Sequence, residues 1–182
     1  MDWFLTTERI GLRRFEARDL DDVVALDGDP EVMRFITDGA PVPRARIEQD
    51  FEPRLVSAWD PLCERDRRTF FAAADRTTGE FLGWFHFKPG WYWPEEMELG
   101  YRLKRAAWGR GLATEGSIAI RDFAFDRLRL PGLFGATMLG NNASAHVLRK
   151  VGMRLECEYV EERWPGPDRR ALKFSMTRRP PA

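Results

Sequence analysis

The chain is short of cysteine, histidine and lysine. Its two cysteines, Cys63 and Cys157, stand far apart and form no Cys-x-x-Cys pair. That excludes a disulfide framework and makes a reducing, cytoplasmic setting the expectation. The two histidines, His86 and His146, are as scattered, so no zinc or other metal site is expected. An excess of one charge is also missing, since 29 basic residues balance 29 acidic ones. Nucleic-acid binding needs a cationic surplus to displace counterions, so no nucleic-acid partner is expected. No run of 18 apolar residues occurs, and with it goes any expectation of a membrane span. The start, Met1-Asp2-Trp3-Phe4-Leu5, has neither a basic region nor a long apolar stretch and does not read as a signal peptide.

What is present fits one globular domain over residues 1–182. Hydrophobic residues are 43% and charged residues 32% of the chain, enough to bury a core without cross-links. Residues 6–15 read as a first strand and 18–27 as a short helix. A second helical turn opens at Asp29-Pro30, where Pro suits the first helical position. Residues 44–59 read as a helix with Ile47, Phe51, Leu55 and Ala58 on one stripe. Strands at 69–75 and 80–88 flank a Thr77-Thr78-Gly79 turn, a hairpin signal. Residues 97–104 alternate, with Met97, Leu99, Tyr101 and Leu103 on one face and Glu98, Gly100 and Arg102 on the other. A long helix over 111–128, a strand over 133–139, a helix over 143–150 and strands at 153–160 and 170–177 complete the order. Residues 178–182 read as a frayed tail. Antiparallel hairpins followed by helices between later strands imply a mixed α/β sheet with both faces covered.

One segment carries chemistry. Trp108-Gly109-Arg110-Gly111-Leu112-Ala113-Thr114-Glu115 lies between a strand and the long helix. Glycines there allow a tight turn and close approach of a ligand to the main chain. The first helical amides have no internal partner, and the helix dipole makes that end positive. Together they suit a diphosphate. No Gly-Lys-Ser/Thr follows, so this is not a nucleotide-triphosphate loop. Thr114 replaces the third glycine of a dinucleotide fingerprint. Taken alone, the two glycines favour a plain tight turn.

The loop has companions. Glu98-Leu99-Gly100-Tyr101-Arg102-Leu103 precedes it; Asn141-Asn142-Ala143-Ser144 and Val147-Leu148-Arg149-Lys150-Val151-Gly152-Met153 follow it. With Arg9 to Arg13 and Asp29 to Phe35, this ordered set resembles the GCN5-related N-acetyltransferase (GNAT) superfamily, in its RimJ/RimL-like branch of ribosomal-protein N-acetyltransferases. The resemblance spans roughly residues 7–176. It implies the family fold, a central mixed and mostly antiparallel twisted sheet of about seven strands with helices on both faces. It also implies acetyl-CoA as co-substrate. By that resemblance, amides from Trp108, Gly109, Arg110, Gly111, Leu112, Ala113 and Thr114 hold the pyrophosphate. The backbone of Tyr101, Arg102 and Leu103 runs beside the pantetheine arm, and Asn141 contacts CoA near its thiol. Where many relatives carry a tyrosine, this chain has Leu148.

The implied reaction is direct attack of a neutral amine on the thioester, which needs a base. Glu98 is the candidate, with Glu95 and Glu96 as alternates; the competing reading is a strand carboxylate paired with Arg102. Ser144 is the candidate donor to the leaving thiol, against a plain helix-cap role. A backbone amide of the sheet polarises the carbonyl. Trp84, His86 and Trp93 are candidates for the acceptor pocket, against a reading as core. The acidic stretch Glu95-Glu96-x-Glu98 would suit a cationic amine. The acceptor is a small-molecule amine or a protein N-terminus; another acyl-CoA such as succinyl-CoA, or CoA binding without turnover, are the alternatives. A homodimer is expected, joined through residues 84–93 and Trp164-Pro165-Gly166-Pro167 if these are exposed.

Overall fold

A computed structural model describes residues 2–57, 59–62 and 68–178. Ala58, Cys63 and the end of the expected tail lie outside the described residues. The strands are β1 (Leu5–Thr6), β2 (Ile10–Arg13), β3 (Thr69–Asp75), β4 (Phe81–Pro89), β5 (Met97–Leu103), β6 (Gly132–Met138), β7 (Arg154–Val160) and β8 (Arg170–Thr177). They form one eight-stranded sheet in the order β1-β2-β3-β4-β5-β6-β8-β7. Every neighbouring pair is antiparallel except β5 and β6. The helices are α1 (Leu20–Asp27), α2 (Pro30–Met33), α3 (Arg44–Phe51), α4 (Leu112–Asp126) and α5 (Asn142–Val151).

Alternation along the strands sends side chains to two separate cores. Phe71, Ala73, Phe85, Phe87, Leu99 and Leu103 meet α4 and α5 on one face. Phe70, Ala72, Phe81 and Trp84 meet α1, α2 and α3 on the other. A buried bidentate pair, Arg13 to Asp19 at 2.7 Å for both nitrogens, fixes the turn into α1. Asp19 also accepts the Glu16 N–H at 2.8 Å, so the buried charges are hydrogen-bonded as well as paired.

Four sequence expectations need correction. The first strand is two strands, because the Thr7 hydroxyl accepts the Ile10 N–H at 2.9 Å and turns the chain. The helix begun at Arg44 is α-helical only to Phe51; Pro53 supplies no N–H, and a wider π-helical turn runs over Glu52–Val56. Alternation fails in β7, where Leu155 is exposed. The register shifts between Leu155 and Cys157, and the edge strand is bulged there. Lastly, β8 buries both faces. Lys173, between Leu172 and Phe174, is 1% exposed. It donates to Glu96 at 2.8 Å and Glu156 at 2.9 Å and lies over the Trp93 ring.

Candidate active site

β5 and β6 form ladder pairing only where Glu98 faces Phe134, among the described residues. Beyond that point they diverge, as parallel strands do at a switch point, and the opening lies at their C-terminal ends. Strand parity shows which groups are left facing the gap. Lys104 N–H bonds Leu82 O on β4 at 2.9 Å. Main-chain groups alternate sides along a strand, so those of Arg102 and Gly100 also point to β4, and those of Tyr101 and Leu103 point into the opening. Leu103 O is taken by the Trp108 indole N–H, so the Tyr101 N–H and C=O and the Leu103 N–H are the groups left for an extended ligand arm.

Two cavities meet in this gap, sharing Tyr101, Arg102, Ala136, Thr137 and Ser144 in their walls. The first, about 510 Å³, is walled by Leu103, Trp108, Gly109, Gly111, Leu112, Ala113, Thr114 and Asn141. Gly109 and Gly111 have φ of 70° and 79°, left-handed values that favour glycine. A Cβ at Gly109 would meet nothing within 4 Å, so the main chain lies open to a ligand. Gly111 starts α4 with no side-chain cap, which leaves the helix's first amides unsatisfied by protein. The loop is tied from outside: Arg9 donates to Arg110 O at 2.9 Å and to Glu115 at 2.7 Å. Glu115 also takes the Thr7 hydroxyl and the Arg9 N–H at 2.9 Å. These partners hold its carboxylate below the usual range against an opposing burial effect, and Arg9 neutralises it at the helix start. Trp108 is 47% exposed, and its indole N–H anchors to Leu103 O at 2.8 Å. Arg110 does not wall the cavity; its carbonyl is what the structure engages.

Ser144 stands where the cavities join. Its N–H is capped by the Asn141 side chain at 3.2 Å. Asn141 is therefore the helix cap, and the Ser144 side chain stands with Tyr101 in the walls of both cavities. Burial pushes the Tyr101 phenol up from its ordinary value, partly offset by Ser144. The phenol stays protonated at neutral pH and remains a donor. The sequence reading gave Tyr101 a main-chain role only. Its side chain was findable from its odd position in β5, since Leu99 and Leu103 mark that face as the one under α4 and α5.

The second cavity, about 630 Å³, holds Trp84, His86, Glu98 and Trp93. On this face three rungs of the β4–β5 ladder follow one another: Lys88 opposite Glu98, His86 opposite Gly100, Trp84 opposite Arg102. Glu98 pairs with Lys88 at 2.8 Å and not with Arg102. Arg102 pairs with Asp27 of α1 at 2.5 Å and lies over the Trp84 ring. Glu96 is bound to Lys173 and Glu95 is not free, so the acidic stretch is engaged by the protein. His86 is 7% exposed, and neither ring nitrogen has a hydrogen-bond partner among the described residues. A Cβ on Gly100 would come within 2.6 Å of its ring. Burial, then repulsion from Lys88, Arg54, Arg102 and Arg68, drives its pKa well below the usual imidazole value. Arg54 and Arg68 also wall this cavity. Neither stood out in the sequence, because they come from the segment between α3 and β3. Among the described residues no cluster of His, Cys, Asp or Glu could hold a metal ion, and no helix is long and apolar enough to cross a membrane.

A glycine-built loop of open main-chain amides thus lies beside two splayed parallel strands. The sequence matches the acetyltransferase (GNAT) domain family over residues 9–154, and the chain belongs to that family. It is 28% identical over 184 residues to the FsC-acetyl coenzyme A-N(2)-transacetylase of Aspergillus fumigatus, covering 96% of this chain and 76% of that protein. The fold is that of spermidine N-acetyltransferase from Vibrio cholerae, solved with CoA and spermine, at a TM-score of 0.76 and 16% identity over 94% of this chain and 97% of that one. It is equally that of the ribosomal L7/L12 α-N-protein acetyltransferase RimL, solved with CoA, at a TM-score of 0.78 and 13% identity over 97% and 98%.

Proposed function

We propose that this chain is a cytoplasmic N-acetyltransferase that moves the acetyl group of acetyl-CoA to a primary amine by direct attack in a ternary complex. The observation that carries this reading is the junction of two cavities at the β5–β6 gap, one walled by main-chain amides and the other by a carboxylate. CoA lies along the gap, with its pyrophosphate on the amides of residues 108–114 and its arm beside Tyr101 and Leu103. The amine enters from the second cavity, where Glu98 takes its proton. A main-chain N–H facing the gap stabilises the developing oxyanion. Tyr101 and Ser144, which wall both cavities, supply the hydrogen bond or proton that the departing thiolate needs.

The test is Glu98→Gln, which keeps shape and removes basicity. It is expected to lower kcat/KM at pH 7 by roughly 10²-fold. The loss should shrink as pH rises and the free amine becomes neutral unaided. Wild-type rates across the whole pH range would move the base elsewhere. The homodimer is also a proposal. Trp84 is buried while Trp91 is exposed, so the apolar surface offered for it is Trp91 together with Leu155 and Val160 on the edge strand.

A further inference from the structure

The acceptor cavity carries positive charge that the protein leaves unbalanced. Five cationic side chains wall it, and three have partners: Arg102 with Asp27, Lys88 with Glu98, Arg163 with Glu161. Arg54 and Arg68 have no ion-pair partner among the described residues. Arg54 lies along the Phe70 ring, 5.3 Å from its centroid. Desolvation of its guanidinium, then the charge of Arg102, lowers its pKa, with Asp27 and Asp50 opposing, while Arg54 and Arg68 are exposed residues. Asp38, at the same cavity, is occupied by the Thr37 hydroxyl and the Ala40 N–H. Between these guanidinium groups sits His86, tilted against Phe70 at 5.3 Å and Trp84 at 5.4 Å. It is buried and both of its ring nitrogens are unpartnered. A buried donor without a partner is costly, and so are like charges gathered in a partly dry site. One group relieves both: an anion, which accepts from guanidinium forks and from an imidazole N–H.

We propose that Arg54, Arg68 and His86 form an anion subsite, and that the acceptor is a primary amine whose short chain ends in a carboxylate or phosphate. This rests on the acetyltransferase reading above and narrows its substrate. The ladder sets the scale. Glu98 lies one rung from His86, roughly 7 Å along the sheet, so a few atoms separate the reacting nitrogen from the anionic end. A polyamine would bring its remote ammonium against Arg54 and Arg68.

The experiment measures free CoA thiol release with ω-amino carboxylates of increasing length, each against the alkylamine of equal chain length, with 3-aminopropylphosphonate and spermidine beside them. One amino carboxylate or the phosphonate is expected to exceed its alkylamine at least tenfold in kcat/KM. The carboxylate and phosphonate arms identify which anion fits. Arg54→Gln should remove most of that advantage, and Arg54→Lys should restore part of it. Preference for spermidine or the bare alkylamines, or an advantage that survives in an Arg54→Gln/Arg68→Gln variant, overturns the subsite. If no amine is acetylated, the transferase reading fails. The subsite is then read by calorimetry with glutarate and inorganic phosphate on protein saturated with CoA. Saturable binding lost in the double variant upholds it, and no binding overturns it.

Discussion

The two cavities that meet at Tyr101 are built by opposite means. The donor side is main chain: two left-handed glycines, the open end of α4, and the edge of β5 turned into a gap. The acceptor side is side chain: Arg54 from the segment after α3, Trp84 and His86 from β4, Glu98 and Arg102 from β5, held by Asp27 from α1. A site made of main-chain amides tolerates sequence change, because amides do not change with side chains. A side-chain site is free to change, and in this chain it has gathered arginine. Variants on the two sides should therefore separate donor binding from acceptor chemistry.

The largest separation is expected from Gly111→Asp. The substitution places a carboxylate where the pyrophosphate is proposed to lie, at a φ of 79° that most side chains avoid. Like charges in a partly dry site cost several kcal/mol, so CoA affinity by calorimetry should fall about 100-fold. An anion bound on the acceptor side should be unaffected. Unchanged CoA affinity in the folded variant would remove the pyrophosphate from this loop.

The same contrast explains what could be read in advance. The glycine loop's geometry was legible, because glycine spacing ahead of a helix reports backbone conformation directly. So were most strands and both later helices, whose apolar periods are clean. The acceptor side was legible only where one strand carried it: the alternation of β4 separates Trp84 and His86 from Phe85 and Phe87. Ion pairing across elements was not. Glu98 and Arg102 share a strand face and looked like partners, yet Lys88 and Asp27, brought in by β4 and α1, take them. Lys173 was equally hidden, since nothing in an alternating strand reports a lysine enclosed by two glutamates and a tryptophan ring.

A smaller effect should appear at the junction, where neither side owns the residue. Tyr101→Phe removes the hydroxyl proposed to act with Ser144 and keeps the ring against Phe85. One lost hydrogen bond to a departing thiolate is worth about 1.4 kcal/mol, or about tenfold in kcat. Ser144→Ala should cost no more than that. The double variant should match the more damaged single one, because the two hydroxyls act as a unit. Losses that multiply would mean two independent donors. CoA affinity should hold in all three, and a fall with Ser144→Ala would make that hydroxyl part of the donor side.

The smallest effect concerns stability, and it belongs to the acceptor side alone. His86 is buried among cationic groups, and its pKa in the folded protein lies well below the ordinary value. In the unfolded chain it titrates near 6.5. Below that pH the unfolded state binds a proton that the folded state refuses, so stability rises with pH in this window and falls as the solution is acidified. Between pH 7.5 and 6.0 the unfolded-state protonation alone is worth about 0.8 kcal/mol. Urea unfolding of the wild type at the two pH values should show a loss of that size. His86→Gln, which has no proton to gain, should lose little over the same interval, whatever its absolute stability. Gly111→Asp should keep the wild-type difference, because the donor side contributes no such buried imidazole. An equal loss in His86→Gln would mean that the imidazole accepts its proton in the folded state, and the cationic crowding around it would then be weaker than its neighbours imply.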